Sequence, residues 1–292
     1  MDWRRISMSD RRLTVRKTYK LFIGGAFPRS ESGRSYVVTG PEGDFLANAS
    51  RASRKDARDA VSAARKAFAG WSGATAHGRG QIMYRIAEML EGRRHQFITE
   101  LGAAGTPPAA ATAEVDAAID LWVWYAGWAD KIASILGSAN PVAGPYFNLS
   151  TTEPTGVVAV IAPSGPLLAL VSVIAPVIVS GNTCVVVAPE EAPLPSITLA
   201  EVLATSDLPG GVVNILTGSR SELAPWLASH MDVNALDLAG APAELTVACE
   251  RAAAGNLKRV LRPAATDWTT DPGTGRMAAF METKTVWHPT GV

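Results

Sequence analysis

The spacing of apolar residues predicts that the first half of the chain is built mainly of helices. Residues 53–71 have apolar positions at helical spacing, and Ser53 followed by Asp56 is a capping pattern that marks the start of this helix. A second apolar stripe predicts a helix over residues 78–92. Beyond a Gly-Thr-Pro-Pro break, residues 109–136 are predicted to form one long helix.

The long helix carries a cluster of four aromatic residues, Trp122, Trp124, Tyr125 and Trp128. Such a cluster suits either a ligand platform or a packed core. Large aromatic side chains on helices mostly serve to bury area, so the pattern favours core packing.

Two short stretches of the first half alternate in the way that strands do. Residues 20–27 alternate and then turn at a Gly-Gly pair, which predicts a short strand near the start of the fold. Residues 146–152 alternate apolar and polar side chains, a pattern typical of an exposed or edge-pairing strand.

After Gly156 the pattern changes to short β-branched runs separated by helical stretches. The predicted strands are residues 157–162, 183–188, 212–217, 235–239 and 257–261. The predicted helices between them are residues 167–179, 196–205, 220–229 and 243–254. Strands that alternate with helices at this spacing require right-handed crossovers, which build a parallel, doubly wound sheet. Ligands of such sheets bind at the carboxyl ends of the strands.

Composition and charge narrow the class of protein. The chain has 292 residues, 47% of them apolar, which is enough to bury a substantial core. Lys plus Arg and Asp plus Glu both number 27, so no net charge attracts nucleic acid or an anionic membrane, and neither is expected as a partner. Pro and Gly break the uncharged residues 155–188 into runs shorter than the ~20 residues of a membrane-spanning helix.

The expected compartment is the cytoplasm. The chain has two cysteines and shows no cleavable apolar leader, which favours a reducing environment over a disulfide framework. The first 18 residues are rich in Lys and Arg but lack apolar periodicity, which favours a frayed terminal arm over a targeting helix.

The second half of the chain contains five blocks, EPTGVVAVIAP, PLLALVSVIAPVIVSGNT, EEAPL, LPGGVVNILTG and NLKRV. Their order and spacing resemble those of the aldehyde dehydrogenase superfamily. The helical segments SRKDARDAVSAARKAFAGW and AIDLWVWYAGWADKI are similar to the N-terminal half of the same superfamily. The chain therefore resembles an aldehyde dehydrogenase over most of residues 20–260. The resemblance implies an α/β fold with a doubly wound, Rossmann-like parallel sheet, N-terminal helices and a small β oligomerisation arm.

The resemblance also implies a division of the chain. Residues 1–139 correspond to an N-terminal helical part, residues 140–155 to an oligomerisation strand and residues 156–263 to a Rossmann-like nucleotide-binding part. Residues 264–276 form a linker, and residues 277–292 correspond to the C-terminal strand, which in whole enzymes joins the oligomerisation sheet of a neighbouring subunit.

The cofactor-binding positions that the resemblance carries over are Ala162, Pro163, Ser164, Val187, Glu190, Gly240 and Ala241. Several depart from the family pattern. Ser164 and the following Gly-Pro replace a Trp-Asn-Phe-Pro turn whose asparagine helps to hold the oxyanion. Val187 replaces a lysine that contacts the adenosine ribose, and Ala241 replaces a serine at the cofactor pyrophosphate. Because each lost contact to a charged group costs roughly 1.5–3 kcal/mol, NAD or NADP is expected to bind weakly or not at all.

The catalytic residues of the family have no counterpart at the expected positions. Pro263 stands where the family has its glutamate base, and no cysteine follows it. Cys184 is expected inside a central strand and Cys249 inside a helix, so both are interpreted as structural. The four histidines are far apart and no C-x-x-C or H-x-x-x-H pattern occurs, so no metal site is expected. No catalytic residue is assigned.

Three functional hypotheses follow. The first is a non-catalytic aldehyde dehydrogenase-like subunit that assembles with itself or with a full-length relative, since both strands of the oligomerisation surface are kept while the catalytic domain is missing between them. The alternative is an NAD(P)-binding oxidoreductase subunit that acts on aldehydes with a substrate domain supplied by a partner chain. A decaying fragment without a role is the third, and it is disfavoured because the C-terminal strand of the family is kept.

Overall fold

The computed structural model describes residues 17–291. The prediction of a terminal arm in the first 18 residues therefore lies almost wholly outside the described residues. Among residues 17–291, no helix combines the length and the apolar character needed to cross a membrane.

Five helices dominate the first half of the chain. They are α1 (Arg54–Ser72), α2 (Ala76–Glu91), α3 (Arg94–Ala103), α4 (Pro108–Trp128) and α5 (Ile132–Leu136). The prediction of one helix over residues 109–136 is wrong, because the chain turns between α4 and α5. At that turn Lys131 donates its backbone N–H to the Trp128 carbonyl, three residues earlier, and its ammonium to the Gly127 carbonyl, 2.6 Å away.

The start of α1 confirms the capping pattern seen in the sequence. The Ser53 hydroxyl accepts from the backbone N–H groups of Lys55 and Asp56, and the Asp56 carboxylate accepts from the backbone N–H of Ser53 at 2.8 Å. Asp56 is buried and also accepts from the Ser30 hydroxyl at 2.7 Å, so one carboxylate joins the helix to the preceding loop. The cap thereby fixes where the helix begins.

A small sheet near the start of the chain was not predicted. It contains β1 (Thr18–Tyr19), β2 (Ser35–Thr39) and β3 (Phe45–Ser50) in the order β1-β3-β2. The strand predicted over residues 20–27 is wrong, because this stretch makes only single bridges, Phe22 to Ile215 and Ile23 to Ala26. The Gly-Gly pair inside it has positive φ angles, which turn the chain back before a ladder can form.

The central sheet confirms the predicted alternation of strands and helices. Its strands are β6 (Val157–Ile161), β7 (Thr183–Val187), β8 (Val213–Leu216), β9 (Ala235–Asp237) and β10 (Arg259–Leu261), all parallel, in the order β10-β9-β6-β7-β8. The intervening helices are α6 (Leu168–Val179), α7 (Leu194–Ala204), α8 (Arg220–Ser229) and α9 (Ala243–Ala253). The chain runs outward from β6 in one direction and returns beside it as β9, so the topological switch point lies between β6 and β9.

Helices cover both faces of the central sheet. Along β6, Val158 and Val160 join the core on the side of α4, α6 and α7, whereas Val157, Ala159 and Ile161 join the core on the side of α1 and α8. Every residue of β6 and of α6 is buried, which explains why this part of the chain carries no charge.

The third sheet is antiparallel and includes the C-terminal strand. It contains β4 (Ser138–Asn140), β5 (Tyr146–Pro154) and β11 (Met281–Pro289), in the order β11-β5-β4, and a short helix α10 (Gly275–Ala279) precedes β11. The C-terminal strand pairs within its own chain, since β11 is hydrogen-bonded to β5 along all of its residues from Met281 to Pro289.

Candidate functional site

The loops after β6 and β9 border a cleft of about 770 Å³ at the switch point. Its lining residues come from four segments of the chain: Pro163, Ser164, Glu190, Arg220, Ser221, Ala239, Gly240, Ala241, Pro242, Glu244, Leu245 and Ala248. Doubly wound sheets bind ligands at this place, because the adjacent connections leave in opposite directions and open a crevice. The cleft is therefore the candidate site of this fold.

The structure brings five of the seven sequence-predicted residues together. Pro163, Ser164, Glu190, Gly240 and Ala241 line the cleft. The other two, Ala162 and Val187, are fully buried and do not line it. Val187 is the last residue of β7, and its apolar side chain is packed in the core on the side of α1 and α8.

Gly240 has a packing role that is independent of any ligand. A Cβ atom at this position would lie 1.9 Å from the carbonyl oxygen of Ala162 and 2.8 Å from the nitrogen of Pro163. The Gly240 N–H donates to the Ile161 carbonyl at 2.8 Å, which holds the loop after β9 against the end of β6. Only glycine fits so close an approach of two backbones. Its presence is thus explained without a cofactor.

Arg220, the first residue of α8, is the single cationic residue that lines the cleft within the described part of the chain. Its guanidinium donates to the Gly240 carbonyl at 3.1 Å and forms an ion pair with Glu191. Sequence reasoning missed this residue, because a lone arginine at the start of a predicted helix gives no sign that it faces a cleft. Its charge is already satisfied within the chain.

The rest of the cleft is poor in groups that attract an anion. Helix α9 begins at the cleft floor, and the positive end of its dipole would favour a phosphate. Glu244 lies in the first turn of this helix and also lines the cleft, and Glu190 adds a second carboxylate. Both carboxylates oppose the binding of a pyrophosphate, whereas Glu190 can accept a hydrogen bond from a ribose hydroxyl.

The start of α6, just after the Ser164 loop, is also occupied by a group of this chain. The Glu114 carboxylate on α4 accepts from the backbone N–H groups of Leu167 and Leu168, at 3.0 and 3.2 Å. Backbone N–H groups in the first turn of a helix have no acceptor within the helix, and a carboxylate accepts from them well. Glu114 therefore competes with any anion that would approach this end of the sheet.

The linker, residues 264–276, is packed against the rest of the chain. Asp237, the last residue of β9, is almost fully buried and forms an ion pair with Arg276 of α10. Burial raises the pKa of Asp237, and the contact with Arg276 opposes that shift. The Arg276 guanidinium also lies 5.4 Å from the centre of the Trp268 ring. These contacts join the segment before β11 to the central sheet.

Neither cysteine has the environment of a nucleophile. Cys184 and Cys249 are both fully buried and free. Burial raises the pKa of the Cys184 thiol well above its ordinary range and that of the Cys249 thiol to about 11. A thiol with a raised pKa and no access to solvent carries almost no thiolate at neutral pH.

Comparison with known proteins places the chain in a family. The model of the aldehyde dehydrogenase family matches residues 27–262. The chain is 33% identical over 260 residues to cytosolic 10-formyltetrahydrofolate dehydrogenase of Mus musculus, covering 86% of this chain and 28% of that protein. It is 34% identical over 251 residues to retinal dehydrogenase 2 of Homo sapiens, covering 84% and 48%.

Solved structures agree with these sequence matches. The structure of HpcC from Thermus thermophilus superposes with a TM-score of 0.79 at 31% identity, covering 84% of this chain and 47% of that chain. The NAD+ complex of aldehyde dehydrogenase from Bacillus cereus gives 0.77 at 28% identity, covering 84% and 50%. The chain thus spans about half, or less, of the length of the relatives that it matches. The chain belongs to the aldehyde dehydrogenase family.

Proposed function

We propose that the chain is a non-catalytic aldehyde dehydrogenase-like subunit that assembles with itself or with a full-length relative through the β11-β5-β4 sheet. The observation that carries the proposal is the exposed apolar surface of this sheet. Phe147 is 64% exposed and Leu149 lies exposed beside it on one face of the sheet, and Trp287 is 57% exposed on the other face. Contiguous apolar side chains on a surface mark an interaction site more strongly than single exposed ones do.

The register of the strands shows how these side chains group. Phe147 pairs with His288 and Leu149 with Val286, so these four residues share one face of the sheet. Trp287 lies on the opposite face, where its ring contacts that of Tyr146 at 5.8 Å. Within residues 17–291, the outer edges of β4 and β11 carry no further strand. The sheet therefore offers both an apolar face and two open edges to a partner.

The proposal that the chain is non-catalytic is supported by particular residues rather than by the fold. The family's base position is occupied by Pro263, which cannot accept a proton, and neither buried cysteine can act as the nucleophile. No other cysteine occurs in the sequence. Any aldehyde oxidation in the assembly would then depend on a catalytic domain contributed by the partner.

We also propose that NAD or NADP binds weakly or has been lost. Ala162, Pro163, Ser164, Val187, Glu190, Gly240 and Ala241 are the positions at which the family holds its cofactor. The donor set fits this cofactor poorly, since Val187 and Ala241 supply no polar group and Glu244 adds a carboxylate to the lining of the cleft. The presence of Gly240 is not evidence of cofactor binding, because the packing of the two backbones alone requires a glycine there.

A second candidate is an NAD(P)-binding oxidoreductase subunit whose substrate domain comes from a partner chain. The observation in its favour is the cleft at the switch point, which keeps Glu190 and Ser164 in its lining. This function requires cofactor binding at physiological concentration. A titration that detects no binding of NAD or NADP at millimolar concentration removes it.

Two further parts of the proposal follow the family pattern. We place the chain in the cytoplasm, since both cysteines are free. We divide it into an N-terminal helical part (1–139), an oligomerisation strand (140–155), a nucleotide-binding part (156–263), a linker (264–276) and a C-terminal strand (277–292).

The experiment is a measurement of molar mass in solution and of co-purification with a co-expressed full-length aldehyde dehydrogenase. We expect an oligomer, alone or mixed, that dissociates when Phe147→Glu and Leu149→Glu are combined, because two charges would then be buried at the interface. The matched control is Tyr84→Glu, which alters a 52% exposed aromatic residue on α2, outside the sheet. A chain that stays monomeric and ignores every co-expressed relative contradicts the proposal.

A further inference from the structure

A second cavity, of about 350 Å³, lies between α4, the start of α6 and the linker. One wall is made by Asp120 and Trp124, which are four residues apart and therefore share a face of α4. The opposite wall is made by Trp268 and Asp271 of the linker. Each wall thus supplies one indole and one carboxylate to the same cavity.

The two carboxylates are not neutralised by the chain. Within residues 17–291, neither Asp120 nor Asp271 forms an ion pair, and the one hydrogen bond of Asp271 comes from the backbone N–H of Gly273, at 2.9 Å. No Lys, Arg or His lines the cavity. The Arg276 guanidinium lies 5.4 Å from the centre of the Trp268 ring, but its charge is matched by the buried carboxylate of Asp237. The cavity therefore has a local negative charge that a cation would balance.

The floor of the cavity is apolar. It is formed by Ala117, Leu121 and Leu168, of which the two leucines are nearly buried. Indole faces attract cations through the ring quadrupole, and tryptophan is the strongest of the aromatic residues in this respect. An apolar floor, indole walls and a carboxylate rim together suit a cation that carries alkyl groups better than a strongly hydrated metal ion.

We propose that this cavity binds a small organic cation, of the alkylammonium class, between Trp124 and Trp268, with Asp120 and Asp271 balancing its charge. The methyl or methylene groups of the ligand contact Leu121 and Leu168. The site uses no residue of the switch-point cleft and no residue of the β11-β5-β4 sheet. The test of this cation site therefore does not depend on whether the chain assembles or binds a cofactor.

The test compares two ligands of similar shape and different charge, choline and 3,3-dimethylbutan-1-ol, on the full chain. Binding is followed by NMR of the indole N–H signals, with the signals of Trp124 and Trp268 assigned through Trp→Phe variants. We expect choline to shift these two signals in a saturable manner and the neutral alcohol to bind roughly tenfold more weakly or not at all.

Variants locate the site. Asp120→Asn and Asp271→Asn are expected to weaken choline binding by roughly two- to fivefold each, and Trp124→Leu by roughly five- to thirtyfold. Asp130→Asn is the matched control, since Asp130 is an exposed carboxylate just beyond α4 that pairs with Lys131 and lies outside the cavity. Equal binding of both ligands, no saturable shift at tens of millimolar, or equal weakening by the control overturns the proposal.

Discussion

Asp237 at the end of β9 and Arg276 of α10 form a buried ion pair that joins the central sheet to the segment leading into β11. Asp237 also accepts from the backbone N–H of Ala239, at 3.1 Å, in the loop that borders the switch-point cleft. One carboxylate therefore supports both the cleft and the docking of the C-terminal segment. Because this carboxylate is only 1% exposed, removing its partner costs more stability than removing the partner of a surface charge.

The first prediction concerns this pair. Arg276→Ala is expected to lower the free energy of unfolding by about 3–5 kcal/mol, since an unpaired carboxylate is left buried. The loss should grow as the pH rises above the ordinary pKa of an aspartate, because without Arg276 the raised pKa of Asp237 moves higher and the folded state holds a proton that the unfolded state has already released. Chemical denaturation at several pH values measures both effects.

The control for this prediction is Arg262→Ala, which breaks the more exposed pair with Glu250. A change below about 1 kcal/mol is expected there. The combined change Asp237→Leu and Arg276→Met should recover most of the lost stability, because it removes both charges and keeps apolar volume. Equal losses of stability for Arg276→Ala and Arg262→Ala would show that the buried ion pair contributes no more than the exposed one.

The second prediction separates packing from cofactor binding at Gly240. Gly240→Ala is expected to destabilise the chain by about 3 kcal/mol, because the added Cβ collides with the Ala162 carbonyl. The loss should be the same with and without added NAD. Gly255→Ala is the matched control, since a Cβ there meets no atom within 4 Å, and its effect should stay within about 0.5 kcal/mol. A neutral Gly240→Ala would contradict the close backbone approach.

The third prediction concerns the thiols. Both cysteines should resist a thiol reagent in the folded chain at pH 8 and react rapidly after unfolding, because burial removes access and raises the pKa of each thiol. For Cys249 the folded pKa of about 11 lies above the ordinary value of about 8.5. The Cys249 thiol therefore contributes fully to the stability of the fold below its ordinary pKa of about 8.5. This contribution is lost as the pH rises through the folded pKa of about 11. Rapid labelling of the folded chain would contradict the prediction that both thiols are inaccessible.

The fourth prediction addresses the attachment of β11. Asn182 is fully buried and donates its amide to the Phe280 carbonyl at 2.8 Å, while its oxygen accepts from the Gly156 N–H at 2.8 Å. Asn182→Ala leaves the Gly156 N–H without a partner and removes one of the two donors to the Phe280 carbonyl, which keeps the Thr155 N–H at 3.1 Å, and should cost about 1–3 kcal/mol. Amide hydrogen exchange should speed up in β11 more than in the central sheet.

The control for Asn182→Ala is Asn48→Ala, at an exposed position of β3. Little change in stability or exchange is expected from it. If exchange in β11 did not respond to Asn182→Ala, the hydrogen bond from Asn182 would not be what holds the strand in place.

The fifth prediction concerns cofactor affinity. The unaltered chain should bind NAD+ with a dissociation constant of about 1 mM or weaker, which corresponds to about 4 kcal/mol. Ala241→Ser should strengthen binding roughly tenfold by restoring a hydroxyl donor, and Glu244→Gln roughly two- to fivefold by removing a carboxylate from the start of α9. Calorimetric titration measures these changes.

Glu250→Gln provides the comparison for the cofactor series. It makes the same change of charge on α9, at a residue that does not line the cleft, and should leave NAD+ affinity unchanged. Micromolar binding by the unaltered chain would favour the second candidate function, a subunit that still carries its cofactor.

The sequence by itself determined the elements whose signals are local. Ser53 and Asp56 predict the start of α1 because a capping box needs only four consecutive residues. The β-branched runs after Gly156 predict the parallel sheet because strands buried on both faces carry no polar positions. The seven predicted cofactor positions came from the resemblance to aldehyde dehydrogenases, and five of them line one cleft because the ends of parallel strands meet at one edge.

Only the tertiary structure decided the contacts between residues far apart in the chain. Nothing near Glu114 shows that it caps α6, and nothing near Arg276 shows that it pairs with Asp237. The pairing of β11 with β5 likewise depends on where the linker leads the chain. An ion pair or a strand ladder depends on which groups the fold brings together, and a local pattern carries no information on that distance.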